Sequence, residues 1–219
     1  MSQKPTGAGP SLLSRDSTAL LLIDHQVGLL TGVRDLDVAV LKHNVLALAR
    51  AARVLDLPII VTATAPDGMW GPTMPELVAE LPDVDVIGRT TVDAFDEPRF
   101  RAAVEATGRR QLIIAGLSLE VCATFPALSA TVAGYDVRVA LDACGTFNDA
   151  KAAAGLQRLT TAGIPVVDYA TAIIEMVGDN ADPKAQDVYA ALDMPFAVLA
   201  AQLHQRTSTT SPPSLERAS

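Results

Sequence analysis

Cysteine is nearly absent from this 219-residue chain: two thiols, Cys122 and Cys144, are too few for a disulfide framework. No CxxC pair occurs, and the cysteines and three histidines do not fall at zinc-site spacing, so neither metal nor cofactor is expected. Free thiols fit a reduced, cytoplasmic setting. Basic runs are missing too. The one adjacent pair, Arg109-Arg110, and a net charge of −8 argue against nucleic acid as a partner. The longest apolar run, "TALLLIDHQVGLL", is interrupted by Asp24 and His25 and is too short to span a membrane. The first residues, "MSQKPTGAGPSLLSRD", lack the apolar core of a secretory signal. Aromatics make up only 4% of the chain, so any core must be built from aliphatic residues.

Those aliphatic residues are abundant and patterned. The chain is 49% hydrophobic, enough to bury the core of one large domain. Strand patterns at 19–24, 58–64, 85–90, 111–117, 136–143 and 164–171 alternate with helical ones at 38–55, 97–108, 120–134 and 151–163. A short helix after the last strand and further helical structure over 183–205 complete the pattern. Helix-length connections require parallel strands and right-handed crossovers. The expected fold is α/β, a three-layer, doubly wound, mostly parallel sheet of six strands. Residues 17–205 form the domain, and the Pro-, Ser- and Thr-rich segments 1–16 and 206–219 read as flexible tails.

In such a fold, ligands bind at the carboxyl ends of the strands. The first strand ends in Asp24-His25-Gln26 and the second in Thr62, Thr64 and a Gly/Pro-rich loop that carries Trp70. Arg89, Asp93 and Phe95 follow the third, "GLSLEVC" the fourth, and Asp142 and Cys144 the fifth. An acid, a cation and a thiol can therefore meet at one edge.

Cys122, one turn into a helix, has two readings: a small residue filling the core, or a thiolate favoured by the helix N-terminus and its free N–H groups. Cys144 has no helix start behind it and reads as filler. Asp24 is either a general base or a loop-holding carboxylate. His43 and His204 read as surface residues, and His25 is a weak candidate beside Asp24. Gln26, Trp70, Phe95, Phe125 and Phe147 are candidate substrate-binding residues near strand ends.

The segments "LLIDHQVGLL", "HNVLALA", "QLIIAG" and "EVCATFPALSATVAGYDV" resemble the isochorismatase-like cysteine hydrolases, and most nearly their YcaC-type subgroup, over roughly residues 17–205. The resemblance implies a triad with Asp24 as base, Cys122 as nucleophile and backbone N–H groups of Ser118 and Cys122 as oxyanion donors. It also implies a cis Leu117–Ser118 peptide and a homo-oligomer, tetramer or octamer, acting on a small-molecule substrate. Where the family carries Lys, "VIGRTTVDAF" places Arg89. The metal-binding Asp/His set of the nicotinamidase branch has no match in "TAPDGMWGP", so no metal is expected. Cleavage of a C–N bond through a covalent acyl-enzyme is the implied activity. A non-catalytic, oligomeric ligand-binding protein and a thiol redox protein using Cys122 remain the alternatives.

Overall fold

The computed structural model describes residues 12–209. The chain runs through β1 (Thr18–Ile23), α1 (Val27–Leu30), α2 (Val38–Val54), β2 (Ile59–Thr64), α3 (Pro75–Glu80) and β3 (Val86–Arg89). It continues through α4 (Pro98–Ala106), β4 (Gln111–Gly116), α5 (Thr124–Val132), β5 (Asp136–Ala140) and α6 (Asp149–Thr161). β6 (Val166–Val167), α7 (Tyr169–Val177), α8 (Ala185–Leu192) and α9 (Pro195–Thr209) follow.

Among the described residues the six strands form one all-parallel sheet in the order β3-β2-β1-β4-β5-β6. Every residue of β1 and of β4 is buried, as uninterrupted apolar runs in a sheet covered on both faces require. The helices make the two outer layers: α3, α7 and α8 pack beside α2, while α5 packs beside α6. α2 shows the local logic. Asp37 accepts from the N–H groups of Ala39 and Val40 to start it, and Leu41, Val45, Leu48 and Ala52 form its buried stripe.

The direction of the chain reverses between β1 and β4. The first half winds outward through β2 and β3, the second through β5 and β6. The carboxyl ends of β1 and β4 therefore open a crevice that no crossover covers. Asp24 and "SLEVC" flank it.

Several boundaries differ from the sequence expectation for identifiable reasons. The fifth strand stops at Ala140 because Leu141–Ala143 tighten into a 3₁₀ turn. The sixth shrinks to two residues because Asp168 accepts from the Ala170 and Thr171 N–H groups and starts α7. The 183–205 helix is broken at left-handed Asp193 (φ 45°), two residues before Pro195. The loop after β2 contains α3, with Pro75 in its first turn.

The expected tail boundaries also move. Leu13 is buried and donates its N–H to Glu175, and Arg15 pairs with Asp182, so residues 12–16 belong to the domain. At the other end α9 runs on to Thr209. The rest of both predicted tails lies outside the described residues.

Candidate active site

Asp24 sits one residue past β1 in the left-handed region (φ 59°), which Asp enters more readily than most side chains. From there its carboxylate reaches across three strand ends. Oδ1 accepts from Thr64 N–H (2.9 Å), at the end of β2, and from Arg89 Nη1 (2.9 Å), at the end of β3. Oδ2 accepts from Arg89 Nη2 (2.7 Å). Cys122, beyond β4, lines the same cavity as Asp24, close enough for the carboxylate to act on its thiol. The acid, cation and thiol expected from strand-end placement are thus within reach of one another.

Asp24 and Arg89 side chains are fully buried. A buried pair tolerates its desolvation only with good geometry, and the two-pronged guanidinium–carboxylate contact supplies it. Arg89 also donates to the Val92 carbonyl (3.3 Å). Because guanidinium does not give up its proton, Arg89 is a fixed charge here and takes no part in proton traffic.

The Cys122 thiol corrects one expectation. The helix start was expected to favour the thiolate, yet burial pushes the thiol well above its ordinary range. The Asp24 charge and its hydrogen bond add to that rise, and the Ser118 backbone hydrogen bond and the Arg89 charge only oppose it. Cys122 is 8% exposed and lies in a π turn, Leu119–Ala123, that precedes α5. Ala123 N–H reaches back five residues to the Ser118 carbonyl (3.2 Å), and Thr124 Oγ1 donates to the Leu119 carbonyl (2.7 Å). A widened turn of this kind recurs where function needs a residue re-aimed. The Leu117–Ser118 peptide is cis, as the resemblance implies.

Space beside the thiol is limited to a cavity of about 220 Å³. Asp24, Thr64, Ser118 and Cys122 form its polar side. Leu29, Trp70, Val92, Val121 and Phe147 form the apolar one. A larger, more open depression of about 510 Å³ lies toward Pro66, Gly88 and Arg99; it includes neither Asp24 nor Cys122.

Trp70 and Phe147 are therefore placed where the sequence put them, and three other candidates are not. Phe95 is core, packed edge-on against Phe100 and Tyr135. Phe125 lies under the Arg158 guanidinium, 4.9 Å from its ring centre, away from the cavity. Gln26 is buried and spent on backbone: Nε2 donates to the Thr64 and Gly71 carbonyls (2.9 and 2.5 Å), and Oε1 accepts from Thr64 N–H (3.0 Å). A strand-end glutamine facing a Gly/Pro loop satisfies that loop's free backbone groups before any ligand can use it.

Around Gln26, residues 25–28 zip against 70–74. Gln26 bridges Thr73, Val27 N–H donates to the Pro72 carbonyl (3.0 Å), Gly28 N–H to the Trp70 carbonyl (2.8 Å), and Met74 N–H to the His25 carbonyl (2.8 Å). A Cβ on Gly28 would lie 2.6 Å from the Trp70 oxygen, so glycine is required for this approach.

His25 is outside the cavity. Its Nε2 bonds the Ala143 carbonyl (3.0 Å), and burial pulls its pKa down. His43 is partly buried on α2, not a free surface residue, and lies edge-on to Tyr169. The His204 side chain lies outside the described residues. Cys144 is buried behind β4, accepts from Gly116 N–H (3.2 Å) and is pushed up to about 12, mainly by burial. Its geometry suits the filler reading. Among the described residues, no group of three His, Cys, Asp or Glu side chains is placed to hold a metal ion.

Sequence reasoning missed the Thr64 N–H, a backbone donor that no residue type announces. It also missed the walls Leu29, Val92 and Val121, although each lies within a few residues of a strand end.

Residues 18–171 match the family model described as the isochorismatase domain. The chain belongs to the isochorismatase family. Over 158 residues it is 46% identical to the probable hydrolase YcaC of Escherichia coli (strain K12), spanning 72% of this chain and 76% of that protein. The solved structure of E. coli YcaC, an octameric hydrolase of unknown specificity, superposes with a TM-score of 0.84 at 37% identity. That superposition covers 93% of this chain and 99% of the other. YcaC from Pseudomonas aeruginosa, solved with hexane-2,5-diol and covalent acrylamide, gives a TM-score of 0.82 at 37% identity over 93% of this chain and all of that one. Within the isochorismatase family this chain is thus a YcaC-like hydrolase with the family's parallel α/β architecture. Among its described residues no helix is long and apolar enough to cross a membrane.

Proposed function

We propose that the chain hydrolyses a C–N bond of a small amide- or carbamoyl-type substrate through a covalent acyl-enzyme on Cys122. The observation that carries this reading is that the Asp24 carboxylate, held by Arg89, and the Cys122 thiol line one cavity. The covalent acrylamide in the Pseudomonas relative adds support, since it pairs an amide-bearing electrophile with the same fold.

The raised thiol pKa sets the order of events. The resting pair is thiol and carboxylate, and the S–H proton passes to Asp24 as Sγ bonds the substrate carbonyl carbon. The C–N bond then breaks, and the departing amine takes that proton from Asp24. Water attacks the thioester, returning a proton through Asp24 to Sγ as the C–S bond breaks and the acid leaves. Arg89 holds the carboxylate in place while its proton load changes.

The oxyanion falls to the Ser118 and Cys122 N–H groups. Leu119 N–H is engaged by the Gly145 carbonyl, and those of Val121 and Ala123 by Ser118. Ser118 and Cys122 line the cavity together, which puts both N–H groups on the side where a carbon bonding Sγ would sit. A thiol held protonated is a poor peroxide sensor, which weighs against the redox alternative. The octameric E. coli relative supports homo-oligomeric assembly of this chain.

The test is intact-mass analysis after exposure to a panel of small amides and nitriles. Adducts on Cys122 should appear in the native protein, vanish in Cys122→Ala, and form at least ~100-fold more slowly in Asp24→Asn, the usual scale for loss of a general base. Adduct formation that ignores Asp24→Asn would remove the base from the mechanism.

A further inference from the structure

We propose that the substrate is electrically neutral and carries an apolar body; this rests on the acyl-enzyme reading above and narrows it. The charge inventory of the cavity is the reason. Its nine lining residues include one carboxylate, Asp24, and no lysine, arginine or histidine. Arg89, the nearest cation, has a fully buried side chain whose two terminal nitrogens are both committed to Asp24.

A carboxylate or phosphate on the substrate would enter a small, largely apolar space with no cation free to meet it. A buried charge without a partner is costly. A cationic substrate fares little better, because the Asp24 oxygens are already engaged by Thr64 N–H and by both terminal nitrogens of Arg89. Beyond the polar side formed by Asp24, Thr64, Ser118 and Cys122, the enclosure is apolar: Leu29, Trp70, Val92, Val121 and Phe147. Its volume, about 220 Å³, falls below the ~300–1,000 Å³ of sites for drug-sized ligands. A compact amide with one branched or aromatic group satisfies all of these conditions.

Three alkylating agents of similar size and different charge test this on the full chain: iodoacetamide, iodoacetate and 2-bromoethylammonium. Rates at Cys122, read by peptide mass, are divided by each reagent's rate with 2-mercaptoethanol. The expected result is a normalised rate for iodoacetamide at least tenfold above both charged reagents. Any smaller ratio overturns the neutral-substrate inference.

Val92→Lys sharpens the test. Val92 lines the cavity but is 58% exposed, so the change places a cation at the wall without disturbing the core. It should raise iodoacetate relative to iodoacetamide at least threefold, and an unchanged ratio would show that cavity charge is not the cause. Protection examines the apolar body: benzamide should slow Cys122 alkylation at concentrations tenfold below those needed for formamide, and equal protection would delete that half of the proposal. If none of the three reagents alkylates Cys122, the nucleophile reading itself falls, and this inference with it.

Discussion

His25 adjoins Asp24 in sequence yet belongs to a different network. With Nε2 on the Ala143 carbonyl, the proton sits on Nε2, and Nδ1 is a buried acceptor with no partner among the protein's described atoms. A second proton would charge a ring that is almost wholly enclosed, and burial accordingly lowers its pKa from 6.5. The unfolded chain therefore binds a proton at this site at higher pH than the folded one. Stability from His25 is complete above about pH 6.5 and is lost as pH falls below it, by at most ~1.4 kcal/mol per pH unit down to the lowered folded value. Urea midpoints from pH 7.5 to 5.5 should show this fall in the native protein, and His25→Gln should flatten it. An identical pH profile in the variant would assign the acid sensitivity to other groups.

Among the elements, the 65–74 loop depends most on a few contacts. Gln26 fastens it through both ends of one amide, and Gly28 admits the Trp70 carbonyl. Since Thr64 N–H is shared by Gln26 and Asp24, the clamp that sets Trp70 also sets the carboxylate. Gln26→Leu keeps the bulk but leaves two carbonyls without their buried donor, a loss of ~1–3 kcal/mol for each such group. Its effect on rate should be a tenfold or larger fall in Cys122 adduct formation, with Trp70 fluorescence shifted to longer wavelength as the loop loosens. A Gln26→Leu protein that is merely less stable, with unchanged fluorescence and adduct rate, would reduce Gln26 to a structural residue.

The same loop marks the border of what the sequence disclosed. Periodicity reported the strands and helices because burial on two faces or one stripe writes itself into residue type. Strand-end placement then brought Asp24, Arg89 and Cys122 together, with Trp70 and Phe147 nearby. Gln26 and Phe95 escaped because a residue's distance from a strand end does not say whether it turns toward ligand, backbone or core. Cys122 was legible in position and not in protonation: the helix start pointed to a thiolate, and the degree of burial that outweighs it is a property of the packed fold.

At the scale of the whole molecule, the apolar surface is unevenly spent. α9 carries Phe196, Leu199 and Leu203 on one stripe at 71%, 57% and 55% exposure, while Met194 just before it is buried. A stripe that large is expensive in water and suits the homo-oligomeric contact proposed above. Opposing association is the net charge of −8 per chain, which accumulates with every subunit added. Salt screens that repulsion over ~8–10 Å and leaves apolar burial intact, so assembly held by α9 should tighten as ionic strength rises. Light scattering coupled to size exclusion should find an oligomer whose dissociation on dilution is weaker in 0.5 M than in 0.05 M salt, both taken as roughly bracketing the physiological range. Replacing Phe196, Leu199 and Leu203 with Ser should give smaller species with unchanged far-UV circular dichroism. If the triple variant keeps the native mass, subunits meet through another face, and α9 presents its stripe to something else.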